Sequence, residues 1–431
     1  MMRRIALAAL VIGLLGVASM WLVSLRPAIA AVQPPPLENF AAATVARGQA
    51  LAAAGHCASC HTKAGGAAYA GGYAVNTPFG LIYGTNITPD AETGIGRWSQ
   101  AAFARAMREG VGRDGSHLFP AFPYYAYTKL SDEDIAALYA YLMTRPPVAA
   151  TTPANTLPFP LKIRAFQAGW KMLFFRSGRF QPDASKSAEW NRGAYLAEGL
   201  ADCSGCHTPR NSLGAERTRY PYAGNIIDGW IAPALNSSNP SPIPWTEDEL
   251  FTYLRTGASK LHGATGATMT SVIRDSLELP IVPDSDVRAI AVYFSEMDNA
   301  GVRGASIEAT TRNALATSHL GSEQENDDDA NLYASACISC HYNRGPIPLP
   351  ARPELSLNSA LTLSEPTNFI QAVLRGFGSA EGAPGLVMPA YSSLSDVQIA
   401  RLALYLRRTR TNLPPWTDVE SKVARIRREL R

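Results

Sequence analysis

Apolar residues recur three or four positions apart in six stretches of this chain, and the stretches come in pairs. "AAFARAMREG" runs to Gly110, "DELFTYLRTG" to Gly257 and "NFIQAVLRG" to Gly376. After a loop, each is followed by a second amphipathic stretch: "LSDEDIAALYAYL", "VPDSDVRAIAVYF" and "LSDVQIARLALYL". One-sided apolar spacing of this kind predicts helices, and the Asp or Ser at the start of each second stretch predicts an N-cap. In each second helix a tyrosine stands six places after the first β-branched residue: Ile135 to Tyr141, Val287 to Tyr293, Ile399 to Tyr405. Strand-like runs are few. The pattern predicts an all-α chain in which one helical unit occurs three times.

The N-terminus has a different pattern. Arg3 and Arg4 precede "IALAALVIGLLGVASMWLVSL" (5–25), which carries no charge before Arg26. A bilayer takes about 20 apolar residues as a helix, whereas the apolar core of a cleaved signal is about 7–15. The length predicts a retained anchor with the arginines on the cytoplasmic side. Ala28-Ile29-Ala30 fits a cleavage site and keeps the alternative of a removed signal. In both cases the rest of the chain leaves the cytoplasm.

At 431 residues, with 46% apolar and 17% charged positions, the chain is long enough for about three globular domains. A net charge of +3 gives no reason to expect nucleic acid as a partner. The six cysteines change the picture most. They fall as Cys57/Cys60, Cys203/Cys206 and Cys337/Cys340, each pair within Cys-x-x-Cys-His, and none is left for a disulfide framework. This is the attachment pattern of c-type haem: two thiols bond covalently to the porphyrin and the adjacent histidine ligates iron. The pattern predicts three covalently bound haem c groups, with His61, His207 and His341 as proximal ligands. A zinc site would gather four ligands in one place, and each cluster here has three, more than 100 residues from the next. A thioredoxin-like dithiol would lie in a βαβ pattern, which is missing.

Twelve residues after the three glycines stand Phe122, Met269 and Met388. A thioether is a soft neutral ligand, and His/Met ligation raises the iron potential. Met269 and Met388 are therefore the expected sixth ligands of the second and third haems; a lone Met elsewhere would be read as core filling. Phe122 has no lone pair for iron. His117, five residues earlier, is the candidate replacement at the first haem, although it could equally be a solvated turn residue. Met107 and Met143 are read as core, and an open sixth position stays in play.

At this point the residues resemble a known family, the triheme cytochrome c subunits of bacterial membrane-associated dehydrogenases. "VARGQALAAAGHCASCHT", "FGLIYGTNITPDAETGIGRWS" and "CHTPRNSLG" carry the resemblance, which covers nearly the whole chain. In that family the first unit usually has Pro-Ala-Met-Pro where this chain has "PAFP" (120–123), so Phe122 is a departure. The resemblance implies three class I cytochrome c-like domains in tandem. It also implies a partner: a quinoprotein alcohol dehydrogenase, a flavin-dependent gluconate-type dehydrogenase, or a molybdenum hydroxylase acting on aldehydes or N-heteroaromatics such as nicotinate and isoquinoline, with or without a small iron–sulfur subunit. "HLFPAFPY" (117–124), "FPLKIRAFQAGWKMLFF" (159–175) and "LPPWTDVESKVARIR" (413–427) are most similar to the molybdenum group.

The expected organisation is a signal-anchor helix (1–30), cytochrome c domain 1 (37–148), a connector (151–186), domain 2 (187–302), a polar linker (303–329), domain 3 (330–411) and a basic tail (412–431). The connector reads as packing between domains or as a surface for the catalytic subunit or the membrane. The tail reads as a solvated helix or a docking element. No substrate-oxidising site is legible, so no catalytic residue is assigned. The expected function is electron transfer on the periplasmic side of a bacterial inner membrane, from a dehydrogenase to ubiquinone or a terminal oxidase. Two rivals are a haem peroxidase using an open first haem and a structural tether.

Overall fold

A computed structural model of the chain describes residues 24–298, 307–318, 327–343, 345, 348, 352–378 and 387–430. The expected N-terminal helix of residues 1–30 lies, up to residue 23, outside them. Among the described residues no helix is long and apolar enough to cross a membrane. The chain divides into two compact bodies, one from the chain up to Ala184 with Tyr195–Asp202, the other from Ser185–Ala194 with the chain from Cys203 onward.

The first body contains α1 (Ala42–Ala54), α2 (Cys57–His61), the antiparallel hairpin β1 (Ala74–Thr77) and β2 (Gly80–Tyr83), α3 (Gln100–Glu109), α4 (Tyr124–Tyr127), α5 (Asp132–Met143) and α6 (Phe166–Phe174). Helices α1 and α5 cross at Gly48, where a Cβ would stand 1.9 Å from the Ala137 carbonyl oxygen, so the backbones close only over glycine. The neighbouring Arg47 ties the crossing to Asp134 of α5, Nη2 to Oδ1 at 2.6 Å. Leu51, Phe103, Met107, Ile135, Leu138 and Met143 fill the core. Ser99 and Ser131 cap α3 and α5 by accepting from Ala102 N and Asp134 N, each cap worth about 1 kcal/mol.

A second repeat follows in chain order: α7 (Ala188–Tyr195), α8 (Cys203–His207), the hairpin β3 (Asn225–Ile227) and β4 (Trp230–Ala232), α9 (Glu247–Thr256), the short hairpin β5 (Ala258–Ser259) and β6 (Gly263–Ala264), α10 (Thr268–Val272) and α11 (Asp284–Met297). Its helix crossing copies the first: a Cβ on Gly193 would lie 1.9 Å from Ala289 O, and Arg192 makes two 2.8 Å bonds to Asp286. The third repeat comprises α13 (Asp328–Ala336), α14 (Ile338–His341), α15 (Thr367–Arg375) and α16 (Asp396–Arg410), preceded by α12 (Ile307–Thr317) and followed by α17 (Val419–Glu429). Here the clasp is reversed, Asp329 on the first helix and Arg401 on the last, at 2.5 Å, with fully buried Ala330 beside it.

Three expectations change. Helix α11 follows Pro283, which offers no side-chain cap; Asp284, its first residue, pairs with Arg255 instead. The polar linker holds a helix, because Ile307 and Ala314 share a face that packs with Ile243 and Leu357. The basic tail is helical as expected, and its apolar stripe of Val419, Val423 and Ile426 is buried in the third repeat's core with Ile370, Leu402 and Trp416.

Candidate functional site

Each Cys-x-x-Cys-His segment folds as a single helical turn: α2, α8, and α14 preceded by Cys337. None of the six cysteines forms a disulfide; Cys60 and Cys340 are exposed and the other four are half-buried. The two longer hairpins bring a backbone carbonyl back over the motif. At Gly84, which ends β2's return, a Cβ would fall 1.7 Å from Cys60 O, so the strand passes close only as glycine. The next residue, Thr85, accepts a hydrogen bond from His61 Nδ1 at 2.6 Å. Pro233, directly after β4, does the same for His207 at 2.7 Å. The third repeat has no such hairpin among its described residues, yet Pro353 O lies 3.1 Å from His341 Nδ1.

A carbonyl on Nδ1 fixes the tautomer and leaves the Nε2 lone pair for a metal, the arrangement expected of a ligating histidine. Burial pulls all three imidazoles below their usual range, against the opposing pull of the carbonyl bond, which keeps them neutral. Burial, and then Cys60, push the Cys57 thiol up to about 12; burial and Cys340 push Cys337 up to about 11. Among the described residues no three His, Cys, Asp or Glu side chains gather as a metal cluster. Two thiols and one imidazole per motif suit a porphyrin, which brings its own equatorial nitrogens. Trp230 Nε1 and Tyr405 Oη are buried without a hydrogen-bond partner among the described residues. Carboxylate side arms of a bound haem would satisfy such groups. The residues present therefore fit haem c.

The three distal loops start alike. Gly110, Gly257 and Gly376 end their helices with φ of 60°, 75° and 64°, a region that favours glycine. In the first two repeats the chain returns seven residues later: Val111 bridges His117, and Ala258 pairs with Ala264. Phe122 and Met269 then follow at the same offset, and Met269, the second residue of α10, is half-buried. In the third repeat Met388 is itself the bridging residue, opposite Phe377. The equal count of twelve thus covers two different placements. Met388 packs, with Cys337 and Tyr391, on one apolar cluster around Tyr333 and Tyr405, so motif and methionine are brought together there. Phe122 stacks edge-on with Tyr127 at 5.3 Å. Burial, and then the charge of Cys57, hold the Tyr127 phenol well above its usual range.

His117 has other contacts than those expected. Its Nε2 lies 3.1 Å from Ser24 O and its Nδ1 3.0 Å from Lys171 Nζ. Lys171 also donates to Glu109 O and Gly110 O, both at 2.6 Å, and lies over the Tyr124 ring. With the carbonyl taking the Nε2 proton and the ammonium donating to Nδ1, both ring nitrogens are occupied. Burial, then Lys171, pull this imidazole down to about 4; burial, then Arg26, pull Lys171 down to about 7.

Several of these groups carried no sequence signal. The carbonyls of Thr85, Pro233 and Pro353 are backbone atoms. Lys171 is one of several basic residues in the connector. Asp202, the residue before Cys203, adds to burial in pushing up the Cys60 thiol, and it accepts from Tyr125. In the second body, Asn368 of α15 bonds both ways with Ile231 of β4, at 2.8 Å each, Gln371 donates to Gly229 O, and Trp230 meets Phe377 at 6.1 Å.

Comparison with known proteins adds an independent line. A family model described as cytochrome c matches residues 45–146, and one described as cytochrome c oxidase, cbb3-type, subunit III matches 324–406. The chain is 45% identical to a nicotinate dehydrogenase subunit of Pseudomonas putida across 96% of its own length, spanning 34% of that relative. It is 36% identical to the fructose dehydrogenase cytochrome subunit of Gluconobacter japonicus, covering 84% of the chain and 78% of the relative. The gluconate 2-dehydrogenase cytochrome c subunit of Pantoea cypripedii is also 36% identical, with 90% of each covered.

Proposed function

Since the chain belongs to the family of cytochrome c subunits of dehydrogenase complexes, we propose that it holds three haem c groups and relays electrons from a catalytic dehydrogenase to ubiquinone or a terminal oxidase. The site of action is the periplasmic side of a bacterial inner membrane. One observation carries the count of three: the motif turn recurs three times, each with its histidine Nδ1 against a backbone carbonyl. Bound haem c supplies a one-electron iron couple. The chain's own residues hold and tune it. Cys57, Cys60, Cys203, Cys206, Cys337 and Cys340 attach the macrocycles; His61, His207 and His341 ligate from one face; Met269 and Met388 ligate from the other at the second and third sites. His117 serves the contact between Ser24 and Lys171 rather than iron, and no side chain of the Phe122 loop completes the first site.

The partner we favour is a molybdenum hydroxylase acting on an N-heteroaromatic acid. Identity to a nicotinate dehydrogenase subunit along 96% of the chain supports it over the alcohol and gluconate types. The test is the chain matured with haem-attachment machinery and purified with its large subunit. We expect three haems per polypeptide by mass and pyridine haemochrome, and haem reduction on adding nicotinate. Two haems per chain would refute the count. Reduction by gluconate or ethanol, with none by nicotinate, would refute the partner.

A further inference from the structure

Helix α6 turns Gln167, Ala168 and Lys171 inward and leaves Phe166, Met172 and Leu173 exposed. Phe159 and Ile163, just before it, are exposed as well, Phe159 at 74% and Leu173 at 64%. Single exposed apolar residues are ordinary; five large ones within fifteen positions, with Phe166 and Leu173 two turns apart on one face of α6, call for an occupant. Residues 151–182 around them carry five basic side chains and no acidic one.

The position of this patch is set by the Lys171 contacts. One imidazole, His117, joins Lys171 of α6 to the carbonyl of Ser24. Ser24 is the penultimate residue of the uncharged run 5–25. The chain leaving that run stays fixed to the first body: Ile29 N donates to Arg113 O at 2.8 Å and Arg105 Nη1 to Pro27 O at 2.7 Å. A run of about 20 apolar residues, enough for a bilayer, therefore ends one side chain away from an exposed apolar helix.

We propose that α6, with Phe159 and Ile163, lies in the interfacial layer of a phospholipid bilayer as a second membrane contact. This rests on the reading of residues 5–25 as membrane-inserted. The Lys171–His117–Ser24 contact sets the helix at the height where the inserted run ends. Phe166, Met172 and Leu173 enter the acyl boundary, while exposed Lys162 and Arg176 lie at the level of anionic headgroups. Exposed Lys162 and Arg176, neither paired with a carboxylate among the described residues, suit an anionic lipid surface better than a protein patch of mixed charge.

The test uses the full-length holoprotein in vesicles of phosphatidylcholine and phosphatidylglycerol. Spin labels are placed at Leu173→Cys and, as a control on the exposed side of α17, at Glu420→Cys. The expected result is collision with dissolved oxygen over a nickel chelate that is several-fold higher at 173 than at 420. Vesicle-bound protein with equal ratios at the two sites would overturn the α6 contact alone. Protein that stays off the vesicles would overturn it together with the anchor. A label at 173 that is open to nickel on vesicles and becomes shielded only when the large dehydrogenase subunit is added would assign the patch to that subunit instead.

Discussion

The first and second repeats are built on the same frame and finished differently. Both cross their outer helices over a glycine that tolerates no Cβ, and both run a hairpin whose end places a carbonyl on the motif histidine. Both leave the α3 or α9 helix through a left-handed glycine and return seven residues later. At the next turn they part. The second repeat presents Met269; the first presents Phe122, packed on Tyr127, and spends its only loop histidine on Ser24 and Lys171. They also differ in what covers the hairpin. Residues 152–156 of the connector bond to β2 and the residues after it, whereas α15 of the third repeat bonds to β4. Backbone constraints keep the frame uniform, while the distal loops and the cover over the hairpin differ.

The largest effect should come from exchanging the two loop residues. With Met269 as the proposed sulfur ligand of the second haem, Met269→Ala should lower one midpoint potential by on the order of 100 mV, within the ~0.8 V that axial ligands command. Phe122→Met should do the reverse at the first haem and bring a new sulfur-to-iron band in the near infrared. The reduced wild type should bind carbon monoxide at one haem, and Phe122→Met should abolish that binding. A wild type that ignores carbon monoxide and has two histidines on its first iron would break the comparison, since another histidine would then complete that site.

Much of this frame was legible in the sequence because it repeats. Three motifs, three glycine-ended helices and three tyrosine-bearing helices could be aligned by counting, and each appears as a helix in the structure. Counting failed where geometry, not spacing, decides. Met269 and Met388 share an offset but not a placement, because the third repeat's bridge forms at Met388 itself. His117 was singled out for its chemistry, and its partners come from residues 93 and 54 positions away. The packing of α17 was hidden by seven polar or charged residues around three inward apolar ones.

The second test concerns what the first repeat has in place of a ligand. Lys171→Met leaves Glu109 O, Gly110 O and His117 Nδ1 without their buried donor, at a cost of about 3 kcal/mol. The pH dependence has a definite sign. His117 titrates at about 4 in the folded chain against an ordinary 6.5, and Lys171 at about 7 against 10.5. In both windows the unfolded chain binds more protons, so stability rises with pH from about 4 to 6.5 and again from about 7 to 10.5. Thermal unfolding across pH should lose the alkaline rise in Lys171→Met and the acidic rise in His117→Gln. Melting curves that keep both slopes would mean these side chains do not form the contact that distinguishes this loop.

The smallest expected effect sharpens the second difference, the cover over the hairpin. Asn368→Ala removes both bonds to Ile231, and loop contacts from Gln371 and Trp230 remain, so the loss should be about 1 kcal/mol. Amide exchange at Ile231 should then speed up by roughly fivefold, the rate equivalent of that energy. Thr156→Ala on the first hairpin should do less at Leu81, because the Thr156 N–H still donates to Leu81 O at 3.0 Å. The outcome bears on electron transfer through position alone. Ile231 lies two residues before the carbonyl that holds His207, and Phe377, against Trp230, is the bridge partner of Met388. If Asn368→Ala leaves Ile231 exchange unchanged, α15 does not hold the second repeat's histidine side against the third repeat's methionine side.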